Sequence, residues 1–88
     1  MPIISIFYGI VVRINFFDHA PPHLHAAYGG DEALFDIRSS RVIAGRLPRR
    51  ENRYVVEWLT KNRAGLLRNW DLAVSGQPTF RIEGLHDD

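Results

Sequence analysis

The stretch Phe16-Phe17-Asp18-His19-Ala20-Pro21-Pro22-His23-Leu24-His25 decides how the chain is organised. Proline cannot donate to a strand ladder, so a strand that precedes the two prolines must end near Asp18 and a second strand must start after Pro22. Three of the four histidines fall within seven positions of this stretch. The same segment therefore marks a break between two strands and the candidate functional site.

Apolar residues alternate with polar or small ones on both sides of the prolines, which is typical of half-buried strands. In the return strand this alternation places His23 and His25 on one face and Leu24 on the other. Gly29-Gly30-Asp31 is a turn signal between that strand and the next. The predicted strands are residues 10–16, 23–28, 33–38 and 41–45, with a short earlier strand at 3–7 and a kink or bulge at Gly9.

The hydrophobic period changes to that of a helix after Pro48, a residue suited to the first helical position. Apolar stripes predict two helices within residues 48–75, with a stop at Gly76 and an edge strand at 79–83. The predicted fold class is α+β: an antiparallel meander of about four strands in residues 3–46, with two helices packed on one face. Both tryptophans are expected in the core of a single domain spanning residues 1–88.

Composition narrows the class of protein further. The chain has 88 residues, 45% of them apolar and 24% charged, which is typical of one globular domain. It contains no cysteine, so disulfides and thiolate metal sites are excluded. The N-terminal apolar residues lack a preceding positive charge, and no apolar run reaches the roughly 20 residues of a membrane span. We therefore expect a cytoplasmic protein without a membrane partner.

Positive charge is concentrated in one part of the chain. Between Arg38 and Arg68 there are nine basic residues and two acids, whereas the rest of the chain is acidic. Arginine suits bidentate contact with phosphate, so this segment predicts an RNA-binding surface. A solvated helix surface that pairs with the acidic remainder is the alternative. The predicted nucleic-acid-binding residues are Arg38, Arg46, Arg49, Arg50 and Arg53.

The histidine stretch supplies the candidate catalytic residues, Asp18, His19, His23 and His25. Histidine has an unperturbed pKa near 6.5 and exchanges protons at neutral pH. Three interpretations remain open: histidines that fasten the loop by bonding backbone carbonyls, metal-free acid–base chemistry, and a metal ion held by these side chains with water at an open position.

Cleavage of RNA through attack by a 2′-hydroxyl is a reaction that would use both the histidine stretch and the basic segment. That reaction needs a base, an acid and a cation over the developing charge. His23 or His25 and His19 supply the protons in this hypothesis, and Arg38, Arg46 or Arg13 supplies the cation. The prediction assigns no metal and no cofactor.

These residues also resemble a known family. The motif Asp18-His19-x-Pro-Pro-His23-x-His25, together with Gly45-x-Leu47-Pro48 and Asn69-Trp70, is similar to the signature of small prokaryotic proteins grouped as domain of unknown function 4160. The resemblance implies a place in a toxin–antitoxin-type pair, because members often occur beside a second small protein, domain of unknown function 2442. This chain would be the toxin-like member and the neighbour its antitoxin-like partner. A non-enzymatic partner-binding or metal-stabilised interaction module is the alternative function, and a homodimer is a further expectation.

Overall fold

The structure, a computed structural model, describes residues 2–86 and contains five strands followed by two helices. The elements are β1 (Ile3–Phe7), β2 (Ile10–Arg13), β3 (His23–Tyr28), β4 (Asp31–Asp36), β5 (Val42–Gly45), α1 (Arg49–Lys61) and α2 (Arg63–Val74). All neighbouring strands pair antiparallel, in the order β1-β2-β3-β4-β5. This confirms the α+β class and the meander, with five strands instead of about four.

Two-residue turns set the register of the first and third strand pairs. Tyr8 and Gly9 both have positive φ angles, 51° and 78°, and they connect the paired residues Phe7 and Ile10. Positive φ at both central positions gives the turn twist that matches paired strands. The prediction of a kink or bulge at Gly9 was therefore wrong: this glycine closes a hairpin. Gly29-Gly30 closes the β3–β4 hairpin, which starts β4 at Asp31, two residues earlier than predicted.

Two strands end earlier than the alternation predicts. β4 stops at Asp36 because the carboxylate oxygen Oδ1 of Asp36 accepts the backbone N–H of Arg38 at 2.8 Å and forms a turn there. β2 stops at Arg13, whereas the prediction extended it to Phe16. The chain leaves the sheet because the N–H of Phe17, with φ of 56°, donates to the carbonyl of Ala73 in α2 at 3.0 Å.

One sheet face and the apolar stripes of both helices form the core. Leu24 and Ala26 of β3 lie opposite Phe35 and Ala33 of β4, and all four side chains are fully buried. Each fully buried large aliphatic or aromatic side chain contributes about 1.5–3 kcal/mol relative to exposure. The helices contribute Val55, Trp58, Leu59, Leu66, Trp70 and Ala73. The placement of both tryptophans in the core is confirmed.

The segment that follows α2 crosses the helices without forming the edge strand expected at residues 79–83. Ile82 donates one backbone hydrogen bond to Ile4 of β1, at 2.8 Å. Three further backbone groups of the segment bond helix side chains: Asn69 pairs with both the N–H and the carbonyl of Phe80, and the indole of Trp58 donates to the carbonyl of Glu83. These backbone groups are bound by helix side chains and not by a neighbouring strand, and residues 79–83 form no strand. Within residues 2–86 no helix combines the length and apolar character needed to cross a membrane.

Candidate functional site: a histidine–aspartate cluster

The loop between β2 and β3 is tied to the rest of the fold at both ends. At its start Phe17 bonds the carbonyl of Ala73 in α2, and at its end the N–H of Ile37 donates to the carbonyl of Pro22 at 2.9 Å. The peptide bond between Ala20 and Pro21 is cis. The loop therefore holds Asp18 next to the first residues of β3.

Three of the four predicted catalytic residues meet there. The Oδ2 atom of Asp18 lies 3.1 Å from Nε2 of His23 and 3.9 Å from Nε2 of His25. Each residue offers one atom of a kind that binds metal ions, and these three atoms lie within 4.8 Å of one another. We call Asp18, His23 and His25 the histidine–aspartate cluster.

The contact with Pro21 determines which ring nitrogen of His23 carries the proton. Nδ1 of His23 lies 2.7 Å from the carbonyl oxygen of Pro21. A carbonyl oxygen only accepts, so Nδ1 must donate. In a neutral ring Nε2 then bears a lone pair, and that lone pair faces the Asp18 carboxylate. Two acceptors at 3.1 Å repel unless a cation, either a proton or a metal ion, lies between them.

His25 is held in the same tautomer by a different partner. Its Nδ1 lies 3.0 Å from Oε2 of Glu32, and this carboxylate also bonds the guanidinium of Arg13 at 3.1 Å. Nε2 of His25 then accepts a hydrogen bond from the side-chain amide of Asn15 at 3.2 Å. Both histidines therefore present Nε2 to the cluster and turn Nδ1 away from it.

Both carboxylates at the site stay charged at neutral pH. Burial raises the pKa of Asp18, but the N–H of His19 and the rings of His23 and His25 together lower it more, so the pKa lies below its usual value. The pKa of Glu32 is also lowered, first by the hydrogen bond from His25, against the opposing effect of burial, and then by Arg13. The cluster is a site of negative charge and lone pairs that favours a cation.

A pocket of about 560 Å³ adjoins the cluster. Its walls include Pro21, whose carbonyl fixes His23, and Trp70, whose ring centre lies 5.1 Å from that of His23. The remaining lining residues are Ala20, Pro22, Arg38, Leu67 and Asp71. The exposed side chain of Arg38 brings one positive charge to the pocket. Cluster and pocket thus share a wall made by Trp70 and the proline loop.

The other predicted site residues lie outside this arrangement. His19 is exposed, and it reaches the cluster through its backbone N–H, which donates to Oδ1 of Asp18 at 2.8 Å. Arg50 bonds Glu51, and the interaction with Glu51, with a smaller one from Tyr28 nearby, raises the pKa of Arg50. Tyr28 ends β3, about 17 Å along the strand from His23. Arg46, Arg49 and Arg53 are exposed, and the guanidinium of Arg53 lies 5.9 Å from the centre of the Tyr54 ring.

Three residues of the site were not identified from the sequence: Glu32, Asn15 and Trp70. A signal for Glu32 existed. The two-residue turn at Gly29-Gly30 pairs Ala27 with Glu32, which puts the carboxylate diagonally beside His25 on the same sheet face. Asn15 and Trp70 had no such signal, because their positions depend on how the loop docks on α2.

Comparison with family models gives a match. Neither a curated protein nor a solved structure matches this chain. A family model, described as Domain of unknown function (DUF4160), matches residues 9–71. That range contains the histidine–aspartate cluster and runs from the β1–β2 turn into α2. The resemblance inferred from the motif is confirmed, and the chain belongs to the DUF4160 family.

Proposed function

We propose that this protein is a small, cytoplasmic, toxin-like enzyme that cleaves RNA at the histidine–aspartate cluster and its adjoining pocket. The observation that carries the proposal is the convergence of His23, His25 and Asp18 beside a pocket that contains Arg38. Groups that move protons then lie beside a pocket whose lining includes a guanidinium, a group that suits phosphate.

His25 is the group best arranged to act as the base. Glu32 holds its Nδ1–H at 3.0 Å, so Nε2 is available to take a proton, and the carboxylate stabilises the imidazolium that forms. In the resting arrangement Nε2 accepts from Asn15. A ribose 2′-hydroxyl that replaces this amide as donor would lose its proton to His25 and attack the adjacent phosphate.

The loop supplies the proton for the leaving oxygen, and the pocket supplies the positive charge over the phosphate. His23 already uses both ring nitrogens, at Pro21 and at Asp18, so we assign it a positioning role for Asp18. The exposed His19 is the proposed acid for the leaving oxygen. Arg38 is the proposed cation over the phosphate.

The remaining arginines form the proposed track for the RNA backbone. All four of these side chains are exposed: Arg46, Arg49, Arg50 and Arg53. Arg50 lies near Tyr28, at the end of β3 that is farthest from the cluster. They are suited to sequence-independent phosphate contacts, which strengthen binding and make it salt-dependent.

Cleavage of single-stranded RNA by the purified protein tests the proposal. We compare wild type with His25→Ala and, as a matched control, His86→Ala, since His86 pairs with Glu83 in the C-terminal segment. We expect His25→Ala to lose about 10²–10⁴-fold in rate while keeping its fold, and His86→Ala to retain the wild-type rate. Equal rates in the two variants, or no cleavage by wild type, would contradict the proposal.

A second candidate function is a non-enzymatic module that binds an antitoxin-like protein. Exposed apolar side chains on the two edge strands favour it: Ile6 of β1 is 50% exposed and Ile43 of β5 is 48% exposed. Co-elution of the chain with a small protein of the domain of unknown function 2442 family, lost in Ile6→Lys or Ile43→Lys, would support this candidate. The same chromatography reports whether the chain alone is a homodimer.

A further inference from the structure

We propose that the histidine–aspartate cluster binds one divalent transition-metal ion, of the Zn²⁺ class, through Nε2 of His23, Nε2 of His25 and Oδ2 of Asp18. Water or a substrate oxygen would complete the coordination. The inference rests on the same cluster as the proposed function and assigns a cofactor to it. With the ion bound, Nε2 of His25 would be a ligand, and a metal-bound water would take the place of His25 as the base. Metal binding is nevertheless measured without RNA, so either idea can fail alone.

The positions of the ligand atoms suit such an ion. Ligands on a tetrahedral Zn²⁺, at bond lengths of about 2.0–2.1 Å, are separated by roughly 3.3 Å. The separations from Oδ2 of Asp18 to the two Nε2 atoms are 3.1 and 3.9 Å, on either side of that value. An ion among the three atoms would also remove the repulsion between the Asp18 carboxylate and the lone pair of His23.

Every ligand has its non-coordinating atom held by a hydrogen bond. Nδ1 of His23 donates to the carbonyl of Pro21, and Nδ1 of His25 donates to Glu32. Oδ1 of Asp18 accepts the N–H of His19 at 2.8 Å. Supports of this kind fix the ring orientation and tautomer of metal-binding histidines in proteins. A loop fastened by histidines needs the contact to Pro21, but it does not need two Nε2 atoms to point at one carboxylate oxygen.

An orphaned acceptor lies beside the same atoms. Oδ1 of Asn15 is buried and has no hydrogen-bond partner among the described residues, while the amide nitrogen of the same side chain bonds Nε2 of His25. A metal-bound water would give this oxygen a donor. When Nε2 of His25 binds the ion, the Asn15 amide is released from that nitrogen and can turn toward the water.

The donor set restricts the metal. Two imidazole nitrogens and one carboxylate oxygen suit Zn²⁺, Fe²⁺, Co²⁺ or Ni²⁺. Mg²⁺ and Ca²⁺ prefer oxygen ligands throughout. Mg²⁺ is therefore a control ion that should not compete.

Titration of the metal-free protein with ZnCl₂, followed by calorimetry, tests the inference. We expect one equivalent of Zn²⁺ to bind per chain, even in excess MgCl₂. Asp18→Asn keeps the shape of the side chain and should weaken binding at least 100-fold, as should His25→Ala. Glu32→Gln removes a supporting carboxylate, so binding should weaken about 10–100-fold. His86→Ala should bind like wild type.

Titration with CoCl₂ adds a spectroscopic readout. Wild type should develop the visible absorption of Co²⁺ bound by nitrogen and oxygen ligands, and Asp18→Asn should not, although it melts at a similar temperature in the absence of metal. Wild type that binds Zn²⁺ no more tightly than Asp18→Asn would overturn the inference, because a proton then holds the cluster together. Loss of binding in His86→Ala would also overturn it, by moving the site to the C-terminal segment.

Discussion

The histidine–aspartate cluster differs from the arginine group at the start of α1, which consists of Arg49, Arg50 and Arg53, in how exposed its charges are. In the cluster the side chains of His23 and His25 are only 9% and 12% exposed, and each polar atom points at another polar atom of the site. At the start of α1 the side chain of Arg50 is 65% exposed, and Arg53 is also exposed. The polar atoms of the cluster therefore contact one another, whereas the arginine side chains are exposed to solvent.

This difference separates a candidate reaction site from a candidate binding surface. Convergent groups that are largely buried act at close range and depend on distances of a few tenths of an ångström. Exposed guanidinium groups act through the surrounding solvent, where salt screens them. Substitutions in the cluster should therefore have large, all-or-none effects, and substitutions in the arginine group should have small, graded ones.

Among the substitutions that compare these two regions, the largest effect is expected for Glu32→Gln. The amide still fits the site but no longer holds Nδ1–H of His25 with a charged oxygen, so we expect RNA cleavage to fall about 100-fold. Glu57→Gln is the matched control, because Glu57 forms an exposed pair with Lys61 on α1. Rates of cleavage for the two variants at constant pH and salt check this. A similar loss in both would mean that Glu32 contributes only general negative charge.

A smaller effect, on stability, is expected for His23→Ala. The variant loses the ring that packs against Trp70 and the hydrogen bond to Pro21, so the free energy of unfolding should fall by about 2 kcal/mol. Arg53→Ala, at an exposed position of α1, should change it by less than about 0.5 kcal/mol. Urea unfolding of both variants makes the measurement. Equal stabilities would show that His23 is not part of the packed structure.

The smallest effect is expected for the arginine group. Arg49→Ala and Arg53→Ala should each weaken binding of single-stranded RNA a few-fold at low salt. Each should also reduce the slope of log affinity against log salt by about 0.7, the value for one phosphate contact to a single strand. Fluorescence anisotropy at several salt concentrations measures the slope. An unchanged slope in both variants would remove these arginines from the RNA track.

The strand pattern could be predicted from the sequence because its causes are local. The bounds predicted for the return strand, 23–28, are those of β3, since two prolines and two glycines limit it on either side. The end of β2 could not be predicted in the same way. It depends on the hydrogen bond between Phe17 and Ala73, residues that are far apart along the chain.

The candidate site shows the same division. Asp18, His23 and His25 were found from their spacing, because a short loop beside a strand keeps its members close. The exposure of His19 and the position of Arg50 near Tyr28, at the far end of β3, depend on the packing of whole elements. Spacing along the sequence could not show which arginine would reach the histidines, and only Arg38 lines the pocket beside them among the five predicted to bind RNA.

Nitrogen-15 NMR of the imidazole rings tests the central claim, that Nε2 of His23 and Nε2 of His25 face a common cation. With one equivalent of Zn²⁺ at neutral pH, we expect both rings to carry their proton on Nδ1 and to show metal-shifted Nε2 resonances, while His19 and His86 are unaffected. A proton that remains on Nε2 of either His23 or His25 in the presence of equimolar Zn²⁺ would show that the two nitrogens do not bind a common metal ion.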